Sequence, residues 1–172
     1  MIDLIKCAYK NKILTEDITS SDKKIEVLGK NLKKRIDKKF QRSFFIREID
    51  SGSCNACEVE INALNNPYYN LEQFGISFVP SPKFADALMI TGVVTKNMQD
   101  ALMNAYEITP NPKYIIAVGE CTKDGGDFKD SYALCNGIFD KLPVDIYIPG
   151  CPPEPIDIIN GLLKLLNKEL KR

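Results

Sequence analysis

Phe44-Phe45-Ile46-Arg47-Glu48-Ile49-Asp50, followed by Ser51-Gly52-Ser53-Cys54-Asn55-Ala56-Cys57, sets the plan for the rest of the chain. The first seven residues are rich in aromatic and β-branched side chains and predict a strand. The small turn after them carries two thiols three positions apart, so both sulfurs can face one metal centre. Two later stretches repeat the plan. Tyr114-Ile115-Ile116-Ala117-Val118 runs into Gly119-Glu120-Cys121, and Val144-Asp145-Ile146-Tyr147-Ile148 runs into Pro149-Gly150-Cys151. Ile76–Val79 and the strongly apolar Ala85–Gly92 predict two further strands. Thr95 is a helix cap ahead of a stripe of Met98, Ala101, Leu102, Ala105 and Tyr106. Glu58 to Leu64 reads as a short helix with Val59, Ala63 and Leu64 inward. Pro155 opens a last helix whose apolar face is Ile156, Ile159, Leu162, Leu163 and Leu166.

Strands alternating with helices predict an α/β fold with a parallel sheet. In such a sheet the C-terminal strand ends share one edge, where α/β proteins build their sites. Cys54, Cys57, Cys121 and Cys151 therefore converge in the expected fold, although 63 residues separate Cys57 from Cys121 and 29 separate Cys121 from Cys151.

The rest of the composition narrows what four thiols can do. The chain has 172 residues, 44% of them apolar, and suits one domain plus an extension. No run is long and apolar enough for a transmembrane helix, and the N-terminus lacks a signal-peptide pattern. These features predict a reducing compartment, where cysteines serve metal or redox chemistry rather than disulfides. Histidine is absent, which removes His-based triads, Rieske centres and Cys/His zinc patterns. Soft thiolates then leave an iron–sulfur cluster or a structural zinc ion. Zinc ribbons usually use two CxxC pairs, whereas here the last two thiols are single. Cys7 and Cys135 read as small hydrophobes outside the site, Cys135 on a helix with Leu134 and Ile138. Glu58 and Glu120 adjoin ligand positions and read as a helix-start carboxylate and a solvated loop residue, the functional alternative being that their negative charge lowers the potential of a nearby cluster. Gly125-Gly126 is not followed by the Lys-Ser/Thr of a phosphate loop.

Net charge is zero but unevenly spread. Residues 1–43 hold 12 Lys and Arg against 6 Asp and Glu, and residues 44–172 hold 11 against 17. The expected organisation is a basic N-terminal helical arm over 1–43 and an acidic α/β domain over 44–172. Leu28, Leu32, Ile36 and Phe40 recur every four residues, a helical stripe that suits either docking on a neighbouring subunit, with the cations meeting acidic residues or anionic lipid head groups, or a solvated helix or tail. No nucleic-acid-reading motif accompanies the basic stretch.

Several stretches together resemble the small subunit of the energy-converting, membrane-associated [NiFe] hydrogenases, the group that includes the hydrogenase of formate hydrogenlyase. They are Gly52-Ser53-Cys54-Asn55-Ala56-Cys57-Glu58-Val59-Glu60-Ile61, Phe74-Gly75-Ile76 with Val79-Pro80-Ser81-Pro82, Ala85-Asp86 with Ile90-Thr91-Gly92-Val93-Val94-Thr95, Gly119-Glu120-Cys121 and Tyr147-Ile148-Pro149-Gly150-Cys151-Pro152-Pro153. They are also similar to the 20 kDa (PSST-type) family of NADH:quinone oxidoreductase. The likeness covers about residues 44–166. It implies a flavodoxin-like parallel sheet with helices on both faces, and one [4Fe-4S] cluster ligated at Cys54, Cys57, Cys121 and Cys151. The quinone-reducing branch has adjacent cysteines at the first site, whereas this chain has the Cys54-x-x-Cys57 hydrogenase pattern. The extra clusters of soluble uptake hydrogenases are expected to be missing, because the chain ends soon after Cys151. The resemblance implies an oxidoreductase subunit with no catalysis of its own. It would work peripherally on the cytoplasmic side of the membrane, beside a nickel–iron large subunit, a ferredoxin-like subunit and membrane subunits. The alternatives are a subunit of a quinone-reducing complex and a zinc-stabilised interaction domain.

Overall fold

The structure is a computed structural model that describes residues 20–135 and 137–168. Five strands form one sheet: β1 (Phe44–Asp50), β2 (Ile76–Phe78), β3 (Ala87–Thr91), β4 (Tyr114–Val118) and β5 (Ile146–Ile148). Every pairing is parallel, in the order β2-β1-β3-β4-β5. That is the flavodoxin-like order, as the resemblance implied. The central strands β3 and β4 are buried at every position, which explains their unbroken apolar runs: both faces of the sheet are covered.

Among the described residues five α-helices flank the sheet: α1 (Ser20–Phe40), α2 (Ala56–Ala63), α3 (Lys96–Ile108), the single turn α4 (Cys121–Asp124) and α5 (Pro155–Leu166). Side chains of α1, α2 and α5 meet Phe44, Ile46, Met89, Ile116 and Val118 on one face. On the other face Leu102 of α3, with Ile138 and Leu142, meets Leu88, Ile90, Ile115 and Ala117. Thr95 caps α3 by accepting from the Met98 N–H, and Pro155 sits in the first turn of α5.

Three local expectations shift. The helix after the first thiols begins at Ala56, and its phase buries Cys57, Glu58 and Ile61 while Val59 is exposed. On α3 only Leu102 is fully buried, and Ala101 faces solvent. Cys135 is not helical. Its N–H donates to the Val94 carbonyl, and Leu134 pairs with Thr95 in an isolated bridge. Long-range backbone partners thus override the weak local pattern before Gly137.

Residues 1–19, Cys7 among them, lie outside the described residues. The remainder of the expected arm is α1, and its apolar stripe is not available to a neighbouring subunit. Leu32 and Ile36 are fully buried in the domain's own core, with Leu28 and Phe40 packed against it. A Cβ on Gly29 would stand 2.2 Å from the Phe74 ring, so α1 lies directly on that aromatic and glycine permits the approach. Three residues link α1 to β1, and the Phe40 and Phe44 rings meet at 5.1 Å across the link.

Candidate metal centre

Each candidate thiol follows a strand end, and the backbone ties those ends together. After β1, the Ser51 hydroxyl donates to the Thr91 carbonyl at 2.7 Å, and the Thr95 N–H donates to the Ser51 carbonyl at 2.9 Å. Asp50 accepts from the Gly52 and Ser53 N–H groups, both at 2.7 Å, which folds the turn toward the sheet edge. After β4, the Gly119 N–H donates to the Ile148 carbonyl and the Glu120 N–H to the Gly150 carbonyl, at 2.9 and 3.0 Å. These bonds bring the Cys121 and Cys151 turns together.

Gly119 shows how closely the thiols gather. Its φ is +91°, and a Cβ there would stand 2.7 Å from the Cys57 sulfur and 3.8 Å from the Cys121 sulfur. Two thiols distant in sequence thus flank one residue without a side chain. Cys57 is buried and Cys121 half-buried, whereas Cys54 and Cys151 are exposed. Burial pushes the Cys57 thiol up to about 12, with Cys121, Glu58, Cys54 and Cys151 adding to the shift. Cys121 is raised by burial first, then by Cys151 and Cys54. The Cys57 shift thus carries a contribution from each of the other three candidate thiols, and the Cys121 shift from Cys151 and Cys54. All four sequence-predicted residues occupy one edge of the sheet.

Cys135 stands apart. Its thiol donates to the Gln99 side-chain oxygen at 2.8 Å on the α3 side of the sheet. Among the described residues, no three Cys, Asp or Glu side chains are gathered closely enough to hold a single metal ion. Four sulfurs and no imidazole nevertheless make a donor set whose chemistry fits a thiolate-ligated group.

Glu58 is the residue that sequence reasoning undervalued. It is 7% exposed, and neither carboxylate oxygen has a hydrogen-bond partner. The sequence offered only its place beside Cys57. Its burial follows from the phase of α2. On β1, Glu48 is raised by burial and then by the Glu58 charge, and one of its carboxylate oxygens is buried without a partner. Because its folded pKa lies above the unfolded value, the folded chain holds the Glu48 proton more tightly. Stability from this group is full below the ordinary value of 4.5 and declines as pH rises through the folded pKa. Glu48→Gln should stabilise the chain at neutral pH and lose that advantage at acid pH. Urea unfolding at both pH values checks this, and an equal gain at both would contradict it.

The model of the family described as NADH ubiquinone oxidoreductase, 20 kDa subunit, matches residues 54–165, a span that holds all four thiols. The chain belongs to that family. It is 42% identical over 136 residues to formate hydrogenlyase subunit 7 of Escherichia coli, covering 79% of this chain and 53% of that one. It is 42% identical to the probable membrane-bound hydrogenase subunit mbhJ of Pyrococcus furiosus, covering 83% of this chain and 87% of that one. An NADH-quinone oxidoreductase subunit of Geobacter metallireducens is 44% identical over 67% of each chain. This chain thus spans about half the length of the formate hydrogenlyase subunit and most of the Pyrococcus one. A chain in the structure of a membrane-bound sulfane sulfur reductase, an archaeal respiratory membrane complex, superposes with a TM-score of 0.64. It is 36% identical and covers 73% of this chain and 69% of that one. These relatives carry the names of formate hydrogenlyase, hydrogenase and NADH-quinone oxidoreductase subunits. No helix among the described residues is long and apolar enough to cross a membrane.

Proposed function

We propose that this chain is the electron-transfer small subunit of a multisubunit, membrane-associated [NiFe] hydrogenase. In this reading Cys54, Cys57, Cys121 and Cys151 hold one [4Fe-4S] cluster, proximal to the nickel–iron site of a separate large subunit. The observation that carries the reading is the gathering of the Cys57 and Cys121 thiols around Gly119, at the edge that also holds Cys54 and Cys151. Such a cluster supplies one-electron transfer at a potential set by nearby charge, hydrogen bonds and solvent access. The chain's own part is positional. Cys57 is buried against Gly119 at the β4 end, while Cys54 and Cys151 are exposed at the edge where a partner would dock. The Glu58 carboxyl, buried next to Cys57 in the chain, is the group of this domain placed to tune that potential. The Cys54-x-x-Cys57 spacing and the hydrogenase-named relatives favour the hydrogenase branch over the quinone-reducing one.

Partners in this reading are the large subunit, a ferredoxin-like iron–sulfur subunit and the membrane subunits, with the chain peripheral on the cytoplasmic face. The test is nickel content and H2 turnover in the intact complex purified through this chain. Nickel with H2 evolution or uptake is expected there, and no turnover from the chain alone. A nickel-free complex that reduces a quinone or a sulfur acceptor would move the chain to the other branch. A colourless, zinc-loaded chain would make it an interaction domain.

A further inference from the structure

We propose that the cationic face of α1, with the groove it forms against α5, is a binding surface for the phosphate headgroups of an anionic lipid membrane. The inference stands apart from the metal centre, since none of its residues belongs to the thiol edge.

The apolar stripe of α1 is spent on the domain core, and what remains outward is charge. Lys23, Lys24, Lys33, Lys34, Arg35 and Lys38 are all exposed. None of the six has a carboxylate within ion-pair reach among the described residues, whereas Lys30 pairs with Glu26. Asp37 is the single carboxylate from Lys33 to Arg42. Lys34, Arg35 and Lys38 line a groove of about 470 Å³ together with Asn31, Leu163 and Asn167. Three cations and two carboxamides around an open concavity form a donor set suited to phosphate oxygens. An adjoining groove shares Leu163 and Asn167 and carries one cation, Lys164, and one carboxylate, Asp157.

Topology places this groove toward the end of the domain opposite the thiols. α1 finishes three residues before β1 begins, so its C-terminal half lies at the N-terminal end of that strand. α5 starts just after Cys151 and finishes near the opposite edge, where Lys168 donates to the carbonyl of Asp145. A partner at the thiol edge and a surface at the cationic groove can therefore be engaged together.

Lipid is favoured over an acidic protein by the make-up of the face. Protein interfaces concentrate aromatic residues and arginine and are depleted in lysine. Here five of the six unpaired cations are lysine, and Val27 is the one large exposed apolar residue of the helix. Strongly hydrated point charges on flexible stems suit a diffuse anionic surface. The chain carries no net charge, so attraction to such a surface has to arise from a local concentration of cations of this kind.

The test is co-sedimentation of the full chain with vesicles. Lys34→Gln/Lys38→Gln is compared with Lys83→Gln/Lys129→Gln, which removes the same charge elsewhere. Wild type should bind vesicles containing phosphatidylglycerol and ignore pure phosphatidylcholine. Binding should fall as salt rises from about 0.1 M to about 1 M and the Debye length shrinks from about 10 to about 3 Å. The first pair should lose binding roughly thirtyfold, from about fivefold per cation near the surface, and the second pair should bind as wild type. Unchanged thermal melting of both pairs shows that folding is not the cause. Equal losses from the two pairs would overturn the proposal. So would equal binding to both vesicle types, or binding to polyglutamate but not to vesicles; the last outcome would mark an acidic protein as the partner.

Discussion

Cys57→Ser is expected to remove essentially all iron and acid-labile sulfide from the anaerobically purified chain, whereas Cys135→Ser leaves both intact. The contrast follows from burial and place. Cys57 is 5% exposed and faces the Gly119 gap beside the Cys121 sulfur. A serine hydroxyl there is a harder and far less acidic ligand than the thiol, and so a poor match for a soft site. Cys135 lies on the opposite face of the sheet, bonded to Gln99. Among the four candidates the effect should be graded. Cys121→Ser, at a half-buried position, should resemble Cys57→Ser, while Cys54→Ser and Cys151→Ser should leave a disturbed, labile centre that water can reach. The raised thiols add a pH signature. Each must release a proton to ligate, so reconstitution should release protons and strengthen with rising pH, by up to about tenfold per unit for each proton displaced. Iron and sulfide content with visible absorbance measures the outcome. A Cys57→Ser chain with its full iron complement would remove Cys57 from the ligand set.

Leu32→Ala should destabilise the whole domain by roughly 2–5 kcal/mol, the range for a large-to-small change in a packed core. Leu32 is 0% exposed and shares a core with Phe44, Ile46 and Met89 of the sheet. That loss is a large share of the roughly 5–15 kcal/mol by which domains are stable. If α1 were a separable arm, truncating Leu32 would alter its docking on another subunit and leave the domain's own unfolding unchanged. Urea unfolding followed by the signal of the sheet decides between the two. A shift under about 0.5 kcal/mol, typical of a surface substitution, would restore the arm. Lys34→Gln, two positions on, is the natural control, because its side chain is exposed on the other face of the same helix.

The sequence by itself determined the strands of the central sheet, the Thr95 cap that opens α3, the proline that opens α5, and the candidate ligand set. Buried parallel strands announce themselves as short apolar runs, and thiols that follow three such runs can only share an edge. It did not determine what covers each helix. A four-residue period in Leu28, Leu32, Ile36 and Phe40 says that one face of α1 is apolar. Whether Phe74 and α5 or a neighbouring protein lies against that face is a non-local matter, decided by the link to β1 and the close approach at Gly29. Glu58 was legible only as a neighbour of Cys57; its burial depends on α2 starting at Ala56. Cys135 read as helical because its neighbours are apolar, yet its backbone partner is Val94, some forty positions earlier. Periodicity is a property of a segment, whereas burial and hydrogen-bond partners belong to pairs of segments, and only the tertiary structure joins them.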